Sequence, residues 1–327
     1  MSLAVARPEP GSRARRANRP NRALGRSGFR GGAQSGHSRR RTPYILIAPA
    51  AALMSVFLVY PIASVLYYSL QRYNVTQPWD DGFVGLDNFR QLLFHDPLFW
   101  SSLGFTAKWV GVEVGLQLVF GLGLALLVNE TFIARGFARA LVFSPWAVSG
   151  VLTTGIWVLL YNPTTGIFRY LADAGIGHQG TAVLAEPGMV FPAVVITELW
   201  RGVPFFAILL LADLQSISGE LYDAASVDGA GRFQRFRYIT LPHLRDVIVL
   251  ATLLRAVWEF NNVDLLYTLT GGGPAQQTMT LPLYVAQKAV DAHDFGYGSA
   301  LTVIAFVILL FFSILYLRVS KFGKEAE

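Results

Sequence analysis

Apolar residues gather along this chain in long blocks separated by polar segments. The blocks run at about 44–70, 102–129, 137–160, 188–213, 244–269 and 297–318. As helices rising 1.5 Å per residue, each is long enough to cross the ~30 Å hydrocarbon layer of a bilayer. The pattern predicts an all-α membrane protein with six transmembrane helices.

The polar segment between the fourth and fifth blocks, residues 218–242, has a character of its own. Its centre reads DAASVDGAGRFQRFRYITLP. Ser218 is placed to cap a short helix starting at Gly219 or Glu220, and Glu220 and Asp223 suit the positive N-terminal end of that helix. Leu221, Ala224 and Ala225 fall on one side at helical spacing, and the alanines allow close approach to another surface. Gly229 and Gly231 permit a sharp turn or a positive φ. A second short, basic helix is expected next, with Phe233, Phe236 and Ile239 on its apolar side and Arg232, Arg235 and Arg237 toward water or phosphate. Leu241-Pro242 then closes it and opens the fifth span, since proline is tolerated in a first helical turn. Such a pair of helices could anchor in lipid headgroups, but small residues over a tight glycine turn suit a protein docking site better.

Composition agrees with the membrane class. Of 327 residues, 53% are hydrophobic and only 15% charged, against roughly a quarter charged in soluble domains. The charges are unevenly placed. Residues 1–41 hold eleven Arg and one acid, Glu9, among many Gly, Ser, Pro and Asn. A segment so poor in large apolar residues is expected to be disordered. A nucleic-acid arm and a twin-arginine targeting signal fit it less well than a cytoplasmic tail drawn to anionic lipid, because no base-reading module follows and the next apolar run exceeds a signal h-region. With that tail inside, the inner segments carry 20 of the 27 Lys and Arg, the outer segments 4 and the spans 3. The positive-inside rule therefore places both termini, and the 218–242 hairpin, in the cytoplasm. The opposite loops, about 71–101, 161–187 and 270–296, are long for simple links, and a partner on the outer face is expected.

Several chemistries are excluded. There is no cysteine, and the five His residues are scattered, so no metal centre is expected. None of the four Lys belongs to a GK[ST] sequence, so the chain has no phosphate-cradling P-loop. A GxSxG elbow is also missing. No catalytic residue is assigned.

The hairpin carries a family resemblance. Asp223-Ala224-Ala225, three residues, Gly229, nine residues, then Ile239-Thr240-Leu241-Pro242 resembles the EAA loop of binding-protein-dependent ATP-binding cassette importers. The phrase LYDAASVDGAG is similar to carbohydrate-importer permeases in particular, as are LIAPA, SLQRYN, FVGLDNF and LTGGGP. The likeness runs from about residue 43 to 320. It implies a permease that forms half of a translocation path with a second, homologous permease subunit. An ATPase dimer would dock on the hairpin and hold the ATP and Mg, this chain having no cofactor of its own, and an extracytoplasmic binding protein would deliver a sugar from above. Asp223, Ala224, Ala225, Gly229, Ile239, Leu241 and Pro242 would form the ATPase-coupling site. Asp223 stands where Glu is usual, and Ser218 where Pro is common.

Ionisable residues at membrane depth are candidates for the substrate path. Glu198 and Arg201 lie three apart beside Trp200, and Arg255 and Glu259 four apart, so either pair could simply neutralise itself. WEFNNVD adds Trp258, Asn261, Asn262 and Asp264, the aromatic, amide and carboxylate types that bind sugars. Lys108 and Glu113 are weaker candidates. The path candidates are therefore Trp200, Arg201, Trp258, Glu259, Asn261, Asn262 and Asp264. A di- or oligosaccharide is the first expectation, with glycerol phosphate or a polyol behind it. An ion-coupled carrier using Glu113, Glu198, Glu259 and Asp264 is the competing class, which would have no use for a coupling loop.

Overall fold

In the computed structural model, which describes residues 38–175 and 182–320, the apolar blocks become helices. His178, Lys321, Lys324 and most of the Arg-rich segment lie outside the described residues. The chain divides into two units, Met1–Ser55 and Val56–Glu327. The first holds helix α1, Ser38–Met54. The second begins with a π-helical turn, Ser55–Val59 but for its first residue, and α2, Tyr60–Tyr68. A two-stranded hairpin, β1 (Gln71–Arg72) and β2 (Gly82–Phe83), pairs antiparallel around a 3-10 turn at Pro78–Asp80. Helix α3, Asp87–His95, leads to α4, Pro97–Asn129.

Asp96 starts α4 by accepting hydrogen bonds from the amides of Leu98 and Phe99, at 2.9 and 3.2 Å, and Pro97 occupies the first turn, where its missing N–H costs nothing. Next come α5, Arg135–Ala147, and α6, Gly150–Leu160, bent by 95° relative to each other. The expected span 137–160 is thus broken. Pro145 sits in the last turn of α5, and Val148 and Ser149 are extended, a combination that ends a helix. Helix α7, Ile167–Asp173, precedes the largely buried α8, Val190–Leu214.

The 218–242 hairpin forms α9 (Gly219–Val227), α10 (Arg232–Arg235), a π turn (Phe236–Thr240) and α11 (Leu241–His243). Helix α12, Arg245–Phe260, is followed by α13 (Asp264–Leu269), α14 (Leu281–Ala286), a π turn at Gln287–Asp291, and α15, Phe295–Ser320. Among the described residues, four helical stretches are long and apolar enough to cross a membrane: Leu46–Tyr68, Pro97–Asn129, Val190–Leu214 and Phe295–Ser320. The bent α5–α6 pair would make a fifth. The block at 244–269 is split between α12 and α13. At the break the Asn261 side-chain amide donates to the Val257 carbonyl at 2.8 Å, sharing that acceptor with its own backbone N–H at 3.3 Å.

Helices α4 and α8 pack closely. A Cβ at Gly121 would collide with Phe206 and stand 3.1 Å from the Val203 carbonyl oxygen. Two apolar clusters result. One gathers Trp109, Val194, Phe260, Leu266, Leu283 and Leu301. The other gathers Ala125, Val128, Phe206, Leu210, Leu244 and Ala251. Each of α4, α8 and α12 contributes to both clusters, and between the two contributions each carries polar residues.

Candidate functional site

Those polar residues form one layer. Helix α4 supplies Glu113 and Gln117, α8 supplies Glu198 and Arg201, and α12 supplies Arg255 and Glu259. Except for Arg201, all are buried. Arg255 is the hub. Its Nη2 lies 2.6 Å from a Glu198 oxygen and 2.6 Å from a Glu259 oxygen, and its Nε donates to Gln117 Oε1 at 2.6 Å. Gln117 passes the connection on, its Nε2 donating to Glu259 and to Glu113 at 3.0 Å each. Arg201 closes the layer by donating through Nε and Nη2 to Glu198, at 2.9–3.3 Å. Among the described residues the second Glu113 oxygen has no hydrogen-bond partner. Gly202 makes room for the hub: a Cβ there would sit 2.5 Å from Arg255 Nη2 and from Gln117 Nε2.

Both i,i+3 and i,i+4 pairs expected from the sequence therefore form, and they are fused through Gln117, which sequence spacing does not reveal. Gln117 and Arg255 are 138 residues apart. The one local signal is that Glu113 and Gln117 lie a helical turn apart in an otherwise apolar run.

The layer opens on a polar cavity of about 420 Å³, within the ~300–1,000 Å³ range of small-molecule sites. The bent α5–α6 pair lines it with Trp146, Gly150 and Thr154. Arg201 comes from α8, Arg255 and Trp258 from α12, Asn262 from the α12–α13 break, and Asp264 and Leu265 from the start of α13. Of the sequence candidates, Arg201, Trp258, Asn262 and Asp264 line this space. Trp200 lies outside the lining, edge-on to Trp157 at 6.4 Å. Glu259 is buried behind Arg255, and Asn261 is exposed with its amide on Val257. Trp146, Gly150 and Thr154 were not among the candidates, because only the 95° bend brings them to the cavity.

Lys108 stacks its ammonium 3.9 Å from the centre of the Phe191 ring, away from the cavity lining. A separate cavity of about 400 Å³ lies where the β1–β2 hairpin, α3, α14 and the start of α15 meet. There Asp96 Oδ2 accepts from Tyr284 at 2.7 Å and from Tyr297 at 2.5 Å. Burial opposes ionisation of Asp96, yet the two hydroxyls and the two backbone amides hold its carboxyl below the usual range. Burial and the Asp96 hydrogen bond push the Tyr284 hydroxyl up.

In the hairpin, Ser218 Oγ accepts from the Glu220 amide at 3.3 Å, and Gly229 has φ +80°. Asp223 and Ala224 are exposed and Ala225 is half-buried. Tyr222 and Thr240 pair their hydroxyls at 2.9 Å, tying α9 to the turn after α10. Ile239 packs on the second apolar cluster and Leu241 is half-buried, while Pro242 is exposed. Phe233, expected on the apolar side, is 77% exposed.

Among the described residues no group of three or more His, Asp or Glu could hold a metal ion. Residues 117–322 match the family model described as "Binding-protein-dependent transport system inner membrane component". The chain is 38% identical over 282 residues to the trehalose/maltose transport system permease protein MalF of Thermococcus litoralis, covering 86% of this chain and 94% of that protein. It is 36% identical over 277 residues to the sulfoquinovosyl glycerol transport system permease protein SmoG of Agrobacterium fabrum, covering 85% and 89%. Its fold resembles a chain of a bacterial alginate ABC transporter crystallised with a pentasaccharide-bound periplasmic protein, with a TM-score of 0.75, 22% identity, and coverage of 86% and 95%.

Proposed function

We propose that this chain, which belongs to the family of binding-protein-dependent transport system inner membrane components, forms half of the path by which a di- or oligosaccharide is imported. It is a non-catalytic permease subunit of an ABC transporter. The observation that carries the sugar reading is the polar cavity among apolar helices. Two tryptophans, an amide and a carboxylate line it, the residue types that bind sugar rings and hydroxyls. The relatives are named for different sugars, so the family alone leaves the sugar open.

The partners belong to the same proposal. A second homologous permease completes the path, and an extracytoplasmic binding protein loads it. An ATPase dimer holds ATP and Mg and docks on α9 through Asp223, Ala224 and Ala225, with the turn at Gly229. Ile239, Leu241 and Pro242 connect that contact to α12. The exposure of α9 and its tight turn support this docking. The membrane is the bacterial inner membrane. Six crossings follow if the α5–α6 pair and the α12–α13 pair each make one, and the Lys and Arg distribution favours both termini inside.

The test is ATP-driven uptake of labelled disaccharide into proteoliposomes holding the assembled complex. Uptake should require the binding protein and ATP. Gly229→Asp places a side chain at positive φ on an exposed turn, and should abolish sugar-stimulated ATP hydrolysis while the complex still assembles. Uptake that persists without ATP, or normal stimulation in the variant, would refute the coupling assignment.

A further inference from the structure

We infer that the cavity sorts sugars by charge and admits neutral ones in preference to anionic ones; the inference rests on the sugar-permease reading above. Two arginines at a ligand cavity would ordinarily suggest a phosphate, sulfonate or carboxylate ligand. Here both positive charges are already matched. Arg255 is held by two buried carboxylates, each at 2.6 Å, and Arg201 is held by Glu198 through Nε and Nη2. Glu198 and Glu259 thus balance the two guanidinium charges. Beyond that balance stands Asp264 in the lining, so the formal charge around the cavity is not positive.

An anion entering this space would lose its hydration and meet no unmatched cation among the described residues that line it, which is costly in a low-dielectric site. A neutral sugar meets no such penalty. With Arg201 Nε and Nη2 committed to Glu198, its Nη1 is left as a hydrogen-bond donor near Gly150, 3.2 Å from where a Cβ would stand there. Asn262 and Asp264 provide an amide and an acceptor for hydroxyls, and Trp258 adds an indole to the lining. The arginines act here as fixed neutral-pair donors. They do not serve as anion clamps.

The test is binding of trehalose and of trehalose 6-phosphate to the detergent-solubilised full complex without its binding protein, read by saturation-transfer NMR. Removing the binding protein keeps its own selectivity out of the result. Wild type should bind the phosphate ester weaker than the neutral sugar by roughly tenfold or more. Asp264→Asn, outside the buried layer and on an exposed residue, should narrow that ratio while the fold is kept. Glu259→Gln should narrow it further where the protein remains folded. Equal or tighter binding of the ester by wild type would overturn charge sorting and leave the sugar reading standing. Binding of the ester alone, with the ratio unmoved by Asp264→Asn, would overturn it as well. If neither probe binds, and a panel of neutral oligosaccharides also fails, the sugar reading falls and takes this inference with it.

Discussion

Replacing Arg255 with Met should be the most damaging single change in the buried layer. The substitution keeps much of the side-chain volume and removes the charge. It strips Glu198 of its 2.6 Å partner, Glu259 of its 2.6 Å partner and Gln117 Oε1 of its donor. Removing one partner of a buried ion pair costs about 3–5 kcal/mol, because the remaining charge is stranded without water. At ~2–4 °C per kcal/mol for larger chains, the melting temperature should fall by about 6–20 °C. Arg201→Met is the internal control. Its side chain is 28% exposed, and Glu198 keeps Arg255 after its loss. The cost there is at most about 1.5–3 kcal/mol before solvent screening is discounted. Combining Arg255→Met with Glu259→Gln removes one stranded carboxylate, so the double variant should be more stable than Arg255→Met alone. The assay is thermal unfolding of the purified complex in detergent, followed by tryptophan fluorescence. Equal melting temperatures for Arg255→Met and Arg201→Met, or no gain in the double variant, would refute the hub assignment.

Three further outcomes are expected. Gly121→Leu should cost about 1–3 kcal/mol by forcing α4 away from Phe206 and Val203, measured as a lower melting temperature, and an unchanged one would contradict the close packing of α4 on α8. Asn262→Ala should reduce sugar uptake without raising basal ATP hydrolysis, since its amide lines the cavity; undiminished uptake would remove it from the path. Asp96→Asn should lower stability at pH 7 by weakening the acceptor that serves Tyr284 and Tyr297. The sign follows from the depressed carboxyl: its ionised form stabilises the fold above the ordinary carboxylate range, and that contribution is lost as pH falls through the lowered value. The gap between wild type and variant in melting temperature should therefore shrink toward acid pH, and a gap independent of pH would count against this account.

The long helices were legible because apolar length is a local property. The expected blocks 188–213 and 297–318 differ by one or two residues at each end from α8 and α15. The hairpin was legible for a similar reason: a capping serine, a glycine turn and Leu-Pro act within a few residues of themselves. The break in the third block was hidden because Pro145 near a helix end is tolerated in many contexts, and only the extended Val148 and Ser149 turn it into a 95° bend. The exposure of Phe233 went against a sound local rule. An exposed apolar residue on a short surface helix cannot be told from a buried one by local spacing alone. The charge layer was half visible. Glu198 with Arg201, and Arg255 with Glu259, announce themselves by spacing on one helix face. That Arg255 also serves Glu198 depends on how α8 and α12 cross, which no periodicity encodes.

The layer also has a mechanical meaning. Six side chains, two from each of α4, α8 and α12, are joined at one depth through a single guanidinium, so the three helices are riveted there. Sliding or twisting one past another would break several short charged contacts at once, whereas tilting them together breaks none. The parts left outside the rivet are the bent α5–α6 pair and α13 beyond the Asn261–Asn262 break, and both contribute walls to the cavity. Spin-label distances across the transport cycle should then stay fixed between α4, α8 and α12 near the layer, and change between α8 and α5.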